Sequence, residues 1–551
     1  MSHFWPPLRT LLLVLASFGL GQRSLAGEAR PNVLLILADD LGFSDLGCYG
    51  SENPTPHLDR LAAEGVKFTQ FYNAARCCPT RASLLTGLYP HQAGMGHMTG
   101  TIARPPAYAG VLREDCPTVA ELLRGAGYRT YLVGKWHVGG IGDIAPQAHP
   151  LARGFDRFHG TGGGGNFFAP KQLFEGREAI APGPDFYITD DLNDSAVRYV
   201  QEHVRDHRDQ PFFLHLCHTA PHFPLHARPA DIARHRGKYR TGWDALRANR
   251  FAKQQQLGLL PPETRLSPRD PVAAEWSTLT EAERDAWDLR MATYAAMIEV
   301  MDTGIGRVLA ALRELDLERN TVVLFLSDNG ASAEVLNQWP KPGAYSHTPG
   351  AECGTRASHL CLEVGWANAA NTPFREHKMW VQEGGIATPL IVRWPGGDAG
   401  EKGRWCREVG HVIDLMPTCL ELAGANYPGK FRGTETVTLP GRSLVPCLVS
   451  SSRQPAARIL GWEHEGNRAI RVGDWKLVAS HAAPWELYDL AADRIEGRDL
   501  AAAQPERVRE MAAQWQQWAD EVGVVPWSDF PQSNYQPTPH YRRKSEPVNP
   551  P

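Results

Sequence analysis

Four short apolar runs in this sequence end abruptly in polar or charged residues, and this pattern constrains the fold more than any other feature. The runs are NVLLILADD, YRTYLVGKWH, PFFLHLCHTAPH and TVVLFLSDNG, and a fifth run, ATPLIVRWPG, follows KMWVQEGG. Continuous apolar runs of this length are typical of strands buried on both faces of a parallel sheet. With helical stretches between them, the runs predict a doubly wound α/β domain.

Two helical stretches support this prediction. The segment TVAELLRGAGY stops at glycine, and a second helix begins at Thr280 with Glu283 in capping-box position. Apolar residues then follow at helical spacing: Met291, Tyr294, Met297, Met301, Ile305, Val308 and Leu312. Ligands of such domains bind beyond the carboxyl ends of the strands, so the polar residues that end the apolar runs should share one site.

The chain length and charge limit the classes of function. With 551 residues, 42% of them hydrophobic, the chain is long enough for a large domain and a smaller companion. The formal net charge of -4 at pH 7 is small for this length. It gives no indication of a nucleic-acid or polyanion partner.

The first residues have the pattern of a secretory signal peptide. A basic start at Arg9 precedes an apolar run from Leu11 to Leu20, and the segment Ser24-Leu25-Ala26 follows. The apolar run is short for a bilayer span, so cleavage near Ala26 is favoured over a retained anchor, and no later segment reaches spanning length. We therefore predict a signal peptide at 1–26, no stable membrane span, and export to the periplasm or the medium.

The pattern changes after about residue 450. The segment RILGWEHEGNRAIRVGDWKLV reads as short strands separated by turns, and WELYDL adds another. In PERVREMAAQWQQWADEVG, one helical face carries Val508, Met511, Ala512, Trp515 and Trp518. We predict a catalytic α/β domain at 27–450, an antiparallel sheet with a helix at 451–530, and a loosely ordered tail at 531–551.

Export would permit disulfides, and the chain has 10 cysteines, spread thinly. Cys353 and Cys361 are plausible partners, although pairing cannot be deduced from sequence alone.

Two of the cysteines lie in the segment RCCPTRASLLTG, at the start of a predicted helix. Unpaired N–H groups and the positive end of the helix dipole favour an anionic nucleophile there. An isolated cysteine at such a position is more often simply buried. The spacing of Cys77, Pro79, Arg81, Thr86 and Gly87 favours a functional cysteine instead.

That spacing resembles the signature of the type I sulfatases, in which the cysteine is oxidised to formylglycine (3-oxoalanine). The resemblance continues in family order through LADDLG, GKWH, APHFP, SDNG and NTPFREHKMWVQEGG, and PLHARPADIARHRGKYRTGWDALR is similar to the bacterial arylsulfatases. It implies the alkaline phosphatase superfamily fold, with a mixed sheet. Because proline lies two places after Cys77, Cys77 is the position that the family modifies.

The resemblance also implies the metal ligands. Asp39, Asp40, Asp328 and Asn329 match them, and an oxygen of residue 77 completes the set. Read alone, Asp-Asp or Asp-Asn-Gly would more often be a turn. An all-oxygen set suits a hard cation, and calcium accepts such ligands more flexibly than magnesium, so we favour Ca²⁺.

The remaining family positions match Arg81, Lys135, His137, His222 and Lys378. By resemblance, Arg81 orients the nucleophile and Lys135 and Lys378 bind sulfate oxygens. His222, with Lys378, would protonate the leaving oxygen. His137 would be the base for the second hydroxyl of the hydrated aldehyde.

The implied activity is hydrolysis of aryl or carbohydrate sulfate monoesters through a sulfoenzyme intermediate, after maturation by a formylglycine-generating enzyme. With the metal ion, Arg81, Lys135 and Lys378 counted against three aspartates, the site would carry a formal charge of about +2. This charge suits an anionic substrate but does not distinguish a sulfate ester from a phosphate or phosphonate ester. Two alternatives stay open. One is a phosphonate monoester or phosphodiester hydrolase, and the other is an inactive sulfoglycan-binding protein.

Two further features carry less weight. His215, His218 and His226 lie near His222, but their spacing fits no standard zinc set, and a substrate-side loop is favoured. The glycine run 162–165 lacks the residues that complete a P-loop, so we expect a loop near the site rather than a phosphate cradle.

Overall fold

A ten-stranded mixed sheet lies at the centre of the protein. The computed structural model describes residues 30–100, 105–141, 145–335, 348–397, 401–449 and 458–529. The predicted signal peptide and tail lie outside these residues. The strands are β1 (Asn32–Ala38), β2 (Val66–Tyr72), β3 (Arg129–Lys135), β4 (Arg157–Thr161), β5 (Phe174–Glu175), β6 (Glu178–Ala179), β7 (Phe212–Cys217), β8 (Thr321–Ser327), β9 (Ala387–Arg393) and β10 (Arg404–His411).

The strand order is β10-β2-β9-β8-β1-β7-β3-β4-β5-β6. Strands β8, β1, β7, β3 and β4 are parallel, whereas β9 pairs antiparallel with both β8 and β2. The five apolar runs form β1, β3, β7, β8 and β9, which confirms the strand prediction. The four runs that end in polar residues are neighbours in the sheet, so their carboxyl ends meet at one edge.

Helices cover both faces of the sheet. They are α1 (Pro56–Glu64), α2 (Cys77–Thr86), α3 (Val119–Gly125), α4 (Ile188–His207), α5 (Pro229–Ala233), α6 (Gly242–Gln256), α7 (Glu281–Glu314), α8 (Glu363–Ala370), α9 (Glu383–Ile386), α10 (Leu415–Ala423) and α11 (Val445–Val449). The predicted capping box of α7 is present, with Glu283 N–H donating to Thr280 and Thr280 N–H donating to Glu283. Within the described residues, every helix is too short or too polar to cross a bilayer.

Alternate side chains of β1 pack into two separate parts of the hydrophobic core, one on each face of the sheet. Leu34 and Ile36 pack on one face with residues of α4 and α7, whereas Val33, Leu35 and Leu37 pack on the other face with residues of α2, α3 and α10. Burial on both faces explains why every residue between Asn32 and Asp39 in this strand is apolar. The predicted doubly wound α/β architecture is confirmed.

A four-stranded antiparallel sheet follows the large one, preceded by the short hairpin β11 (Lys430–Phe431) and β12 (Thr434–Glu435). Its strands and helix are β13 (Ile459–His464), β14 (Asn467–Val472), β15 (Trp475–Ala479), β16 (Glu486–Asp489) and α12 (Pro505–Val522). Met511 packs on this sheet with Val508, Ala512 and Trp515, while Trp518 reaches the main core. The predicted sheet, helix and helical face are therefore present.

The cysteine pairing predicted from the sequence is wrong, since all ten cysteines are free. The Cys353 thiol lies 3.7 Å from Thr293 Oγ1 on α7, whereas the Cys361 thiol lies 3.5 Å from the carbonyl oxygen of Ser332. The two thiols pack against different elements, so their closeness in sequence does not bring them together.

Gly134 offers a test of how closely the site strands pack. It precedes Lys135 in β3 with φ +114, and a Cβ atom there would lie 1.8 Å from the Cys217 carbonyl oxygen. We expect Gly134→Ala to lower the free energy of unfolding by about 3 kcal/mol, because the obstructing atom is backbone. Equilibrium unfolding in urea measures this value.

The matched control is Gly125→Ala at the end of α3, where the added Cβ meets nothing within 4 Å. We expect this variant to be as stable as the wild type or more stable by up to about 1 kcal/mol. Equal stability of Gly134→Ala and the wild type would contradict the packing described here.

Candidate functional site

The carboxyl ends of β1 and β8 bring the predicted acidic residues together. The strands pair in parallel with Ala38 opposite Ser327, so Asp39 and Asp40 emerge beside Asp328 and Asn329. Asn329 Nδ2 donates to Asp40 Oδ1 at 2.6 Å, and Asp40 N–H donates to Asp328 Oδ1 at 3.3 Å. All four side chains are buried. The structure thus places the predicted metal ligands in one cluster.

The start of α2 faces this cluster. Cys77 is the first residue of the helix and is 1% exposed. One turn later, Arg81 donates to Asp328 Oδ2 through Nε and Nη2, at 3.0 and 2.8 Å. Its third nitrogen, Nη1, donates to the carbonyl oxygen of Lys135 at 2.8 Å. One guanidinium therefore connects the helix with the ends of β8 and β3.

Two lysines complete the charge pattern. Lys135 Nζ lies 2.6 Å from Asp39 Oδ2, and Lys378 Nζ lies 2.9 Å from Asp40 Oδ2. His222 Nε2 is 3.4 Å from Lys378 Nζ and 3.6 Å from Asp40 Oδ2. These residues come from separate segments of the chain and converge on the predicted ligands.

His137 lies beside Cys77. One of its ring nitrogens lies within 4.8 Å of the sulfurs of Cys77 and Cys78. Burial and then the charge of Lys135 lower the pKa of His137 to about 4. A hydrogen bond with Cys78, and then Lys135 and His137, hold the pKa of the Cys77 thiol well below its ordinary value.

The pKa values of the three buried aspartates are shifted in different directions. Burial raises the pKa of Asp40 and of Asp328, and the nearby charge of Asp39 raises both further. For Asp39, burial acts in the same direction, but the attraction of Lys135 and the other cations nearby outweighs it and the pKa is lowered. A further cation among these carboxylates would favour the ionised form of all three.

The donor set fits a hard metal ion. Within the described residues, Asp39 Oδ1 and Asn329 Oδ1 are buried and accept no hydrogen bond, and Asp39 Oδ1 lies 3.8 Å from Arg81 Nη2. Such burial is costly unless another ligand satisfies the two oxygens. Together with Asp40 and Asp328 they form an all-oxygen group. The residues present therefore suit Ca²⁺.

Sequence reasoning missed one set of contacts. Arg76, which precedes Cys77, donates to Glu465 at 2.8 Å through Nη1 and lies 3.4 Å from Glu334 through Nη2. Glu334 in turn lies 3.5 Å from Lys378 Nζ. Glu465 belongs to the turn between β13 and β14, so no local motif indicates either carboxylate.

The other histidines have separate environments. His215 Nδ1 lies 3.3 Å from the carbonyl oxygen of Leu35, and His226 Nε2 lies 2.8 Å from that of Ser358. His218 is fully buried. The glycine run lies beside the site as predicted, because a Cβ atom at Gly164 would be 3.1 Å from His222 Cε1.

Comparison with known proteins defines the class. Residues 31–425 match the family model described as Sulfatase, so the chain belongs to the sulfatase family and is an enzyme that hydrolyses sulfate esters. It is 36% identical to an uncharacterized sulfatase of Schizosaccharomyces pombe, over 91% of this chain and 95% of that protein. It is 32% identical to an arylsulfatase of Klebsiella aerogenes, over 80% of this chain and 97% of that protein.

A solved structure is similar over nearly the same length. The crystal structure of Ps i-CgsB in complex with k-i-k-neocarrahexaose matches with a TM-score of 0.65 and 25% identity, covering 89% of this chain and 93% of that one. The family and fold implied by the sequence motifs, including the alkaline phosphatase superfamily architecture, are confirmed.

The state of the cysteines can be measured directly. In denatured chain without reductant, we expect ten titratable thiols if Cys77 is unmodified, and nine after its conversion to formylglycine, because no cysteine is disulfide-bonded. Thiol titration gives the count, and peptide mass spectrometry reports the state of residue 77. Fewer than nine thiols would contradict the free cysteines of the structure.

Proposed function

We propose that the chain is an exported, calcium-dependent sulfatase that uses formylglycine at position 77 and acts on sulfated carbohydrates. The observation that carries this proposal is the convergence of Cys77, three buried cations and three carboxylates at one edge of the sheet. Export rests on the sequence of residues 1–26, and maturation requires a formylglycine-generating enzyme.

The metal would be held by Asp39, Asp40, Asp328 and Asn329, together with an oxygen of residue 77. The buried oxygens Asp39 Oδ1 and Asn329 Oδ1, which accept no hydrogen bond from the described residues, support this assignment. When bound there, calcium would supply positive charge for polarising a sulfate oxygen and for favouring an ionised hydroxyl at residue 77.

Hydrated formylglycine would supply two hydroxyls, one to attack sulfur and one whose deprotonation releases sulfate. The start of α2 places residue 77 where backbone N–H groups favour developing negative charge. Arg81 holds Asp328 and the end of β3 in fixed positions, which preorganises the site.

The lysines and histidines have distinct parts in this proposal. Lys135 and Lys378 bind sulfate oxygens, and the carboxylates beside them more than offset the effect of burial and raise the pKa of both, so both stay charged. His222, in contact with Lys378, protonates the leaving oxygen. His137, with its pKa lowered to about 4, is neutral at pH 7 and accepts the proton of the second hydroxyl.

The substrate class is inferred from a cavity beside the site. Its volume is about 520 Å³, and glycines form one side, next to His137 and His222. Asn166, Gln172 and Ser358 supply amide and hydroxyl groups, and none of the described lining residues is Phe, Tyr or Trp. Such a lining suits sugar hydroxyls better than an aromatic ring or a steroid. The oligosaccharide bound to Ps i-CgsB is in keeping with this class.

A comparison of substrates tests the reaction, since the cationic site would also attract a phosphodiester. We expect kcat/KM for a sulfated sugar and for 4-nitrophenyl sulfate to exceed that for bis-4-nitrophenyl phosphate by about 100-fold or more. Faster turnover of the phosphodiester would favour the phosphonate or phosphodiester hydrolase. Binding of sulfated sugar without turnover, by protein that carries formylglycine, would indicate an inactive binding protein.

A serine at position 77 would allow the attack on sulfur but not the later release of sulfate, so this variant tests the two steps separately. The serine hydroxyl can displace the alcohol from sulfur, but the resulting serine sulfate has no second hydroxyl to release sulfate. We expect Cys77→Ser to lose turnover by about 1000-fold or more and to gain about 80 Da on the peptide that contains position 77.

Cys78→Ser is the matched control, because Cys78 is equally buried in the same helical turn. We expect it to retain turnover within about tenfold of wild type. Turnover by Cys77→Ser at the wild-type rate would refute the assignment of the nucleophile.

A further inference from the structure

Two cationic side chains line the cavity beside the catalytic residues. Lys171 and Arg356 lie far apart in the sequence, but the segments that carry them are in contact. Asn166 Nδ2 donates to the carbonyl oxygen of Arg356 at 2.8 Å, and Arg356 Nη2 donates to that of Phe168 at 3.4 Å. The cavity wall therefore brings the two positive charges onto neighbouring segments.

The buried side chain of His226 forms hydrogen bonds with both segments of this cavity wall. Its Nδ1 accepts from Phe167 N–H at 3.3 Å, and its Nε2 donates to the carbonyl oxygen of Ser358 at 2.8 Å. His226 is fully buried, whereas Arg356 is exposed. One imidazole thus joins the segment of Lys171 to the segment of Arg356.

Arg356 has no carboxylate partner among the described residues. None of the described residues that line the cavity is Asp or Glu, and Arg356 forms no ion pair with any described carboxylate. Exposed arginines elsewhere commonly do, as when Arg228 and Arg307 both pair with Asp190. An unpaired exposed arginine alone would be unremarkable, but this one lines a cavity that adjoins the catalytic histidines.

The cavity is placed to receive the part of the substrate beyond the scissile ester. A Cβ atom at Gly163 would lie 3.5 Å from His137 Cδ2, and one at Gly164 would lie 3.1 Å from His222 Cε1. If the sulfate group is held at residue 77, the sugar that bears it would extend past these glycines toward Lys171 and Arg356.

We infer that Lys171 and Arg356 form a subsite for a second anionic group of the substrate. The natural substrate is then a glycan that carries a carboxylate or a second sulfate near the ester that is cleaved. The planar guanidinium of Arg356 suits either oxyanion, since it can donate two parallel hydrogen bonds. This inference rests on the proposed function, because it assumes that the sulfate ester is bound at residue 77.

Kinetics on matched substrates test the subsite. The substrates are a monosulfated neutral disaccharide, the corresponding disulfated disaccharide, and a monosulfated disaccharide that contains a uronic acid, at one ionic strength. For Lys171→Ala/Arg356→Ala, we expect KM for the doubly anionic substrates to rise at least about tenfold more than KM for the singly anionic one. The two doubly anionic substrates show whether sulfate or carboxylate is preferred.

Arg60→Ala/Lys430→Ala is the control, since it removes the same total charge from exposed residues that do not line the cavity. We expect it to leave all three KM values within about twofold of wild type. Equal changes in KM for all substrates in the subsite variant, or no change, would overturn the subsite.

Failure of the proposed function would look different. Wild-type protein that carries formylglycine would then turn over none of the sulfate esters. In that case, calorimetric titration with the disulfated disaccharide still tests the subsite. If the subsite exists, Arg356→Ala binds this disaccharide more weakly than the wild type does, and equal affinity would overturn the subsite.

Discussion

The buried contact between Arg81 and Asp328 is the interaction on which the site depends. It connects the second turn of α2 with the end of β8, while the same guanidinium holds the end of β3 through the Lys135 carbonyl oxygen. Removing one partner of such a buried pair leaves an uncompensated charge and typically costs about 3–5 kcal/mol. The position of residue 77 relative to the carboxylates and to Lys135 thus follows from one side chain.

Much of this arrangement could be predicted from the sequence. Asp39, Lys135 and Asp328 each end an apolar run, and the topology of a doubly wound sheet places the carboxyl ends of such runs together. Lys378 is different, because it follows no strand, and only its distance from a family motif identified it. The periodicity of the helices and the antiparallel C-terminal sheet were also readable, since they depend on local pattern.

What the sequence could not predict depends on contacts between distant segments. The expected bond between Cys353 and Cys361 was suggested by proximity in the chain, but each thiol packs against a different element. Glu334 and Glu465 stand in no motif, and the contact between Glu465 and Arg76 forms only when the C-terminal hairpin meets the start of α2. The cavity wall is likewise built from segments 188 to 190 residues apart, joined by hydrogen bonds to backbone carbonyls that carry no sequence signature.

The ion pair between Arg76 and Glu465 spans 389 residues, and this separation orders events during synthesis. The segment that contains Cys77 leaves the ribosome early. The β13–β14 hairpin, whose Glu465 pairs with Arg76, is among the last parts to be translated. Until then Arg76, the residue before α2, lacks one of its two carboxylate partners. A modifying enzyme of the kind proposed above would therefore have the translation of the intervening chain in which to reach Cys77 before the C-terminal sheet forms.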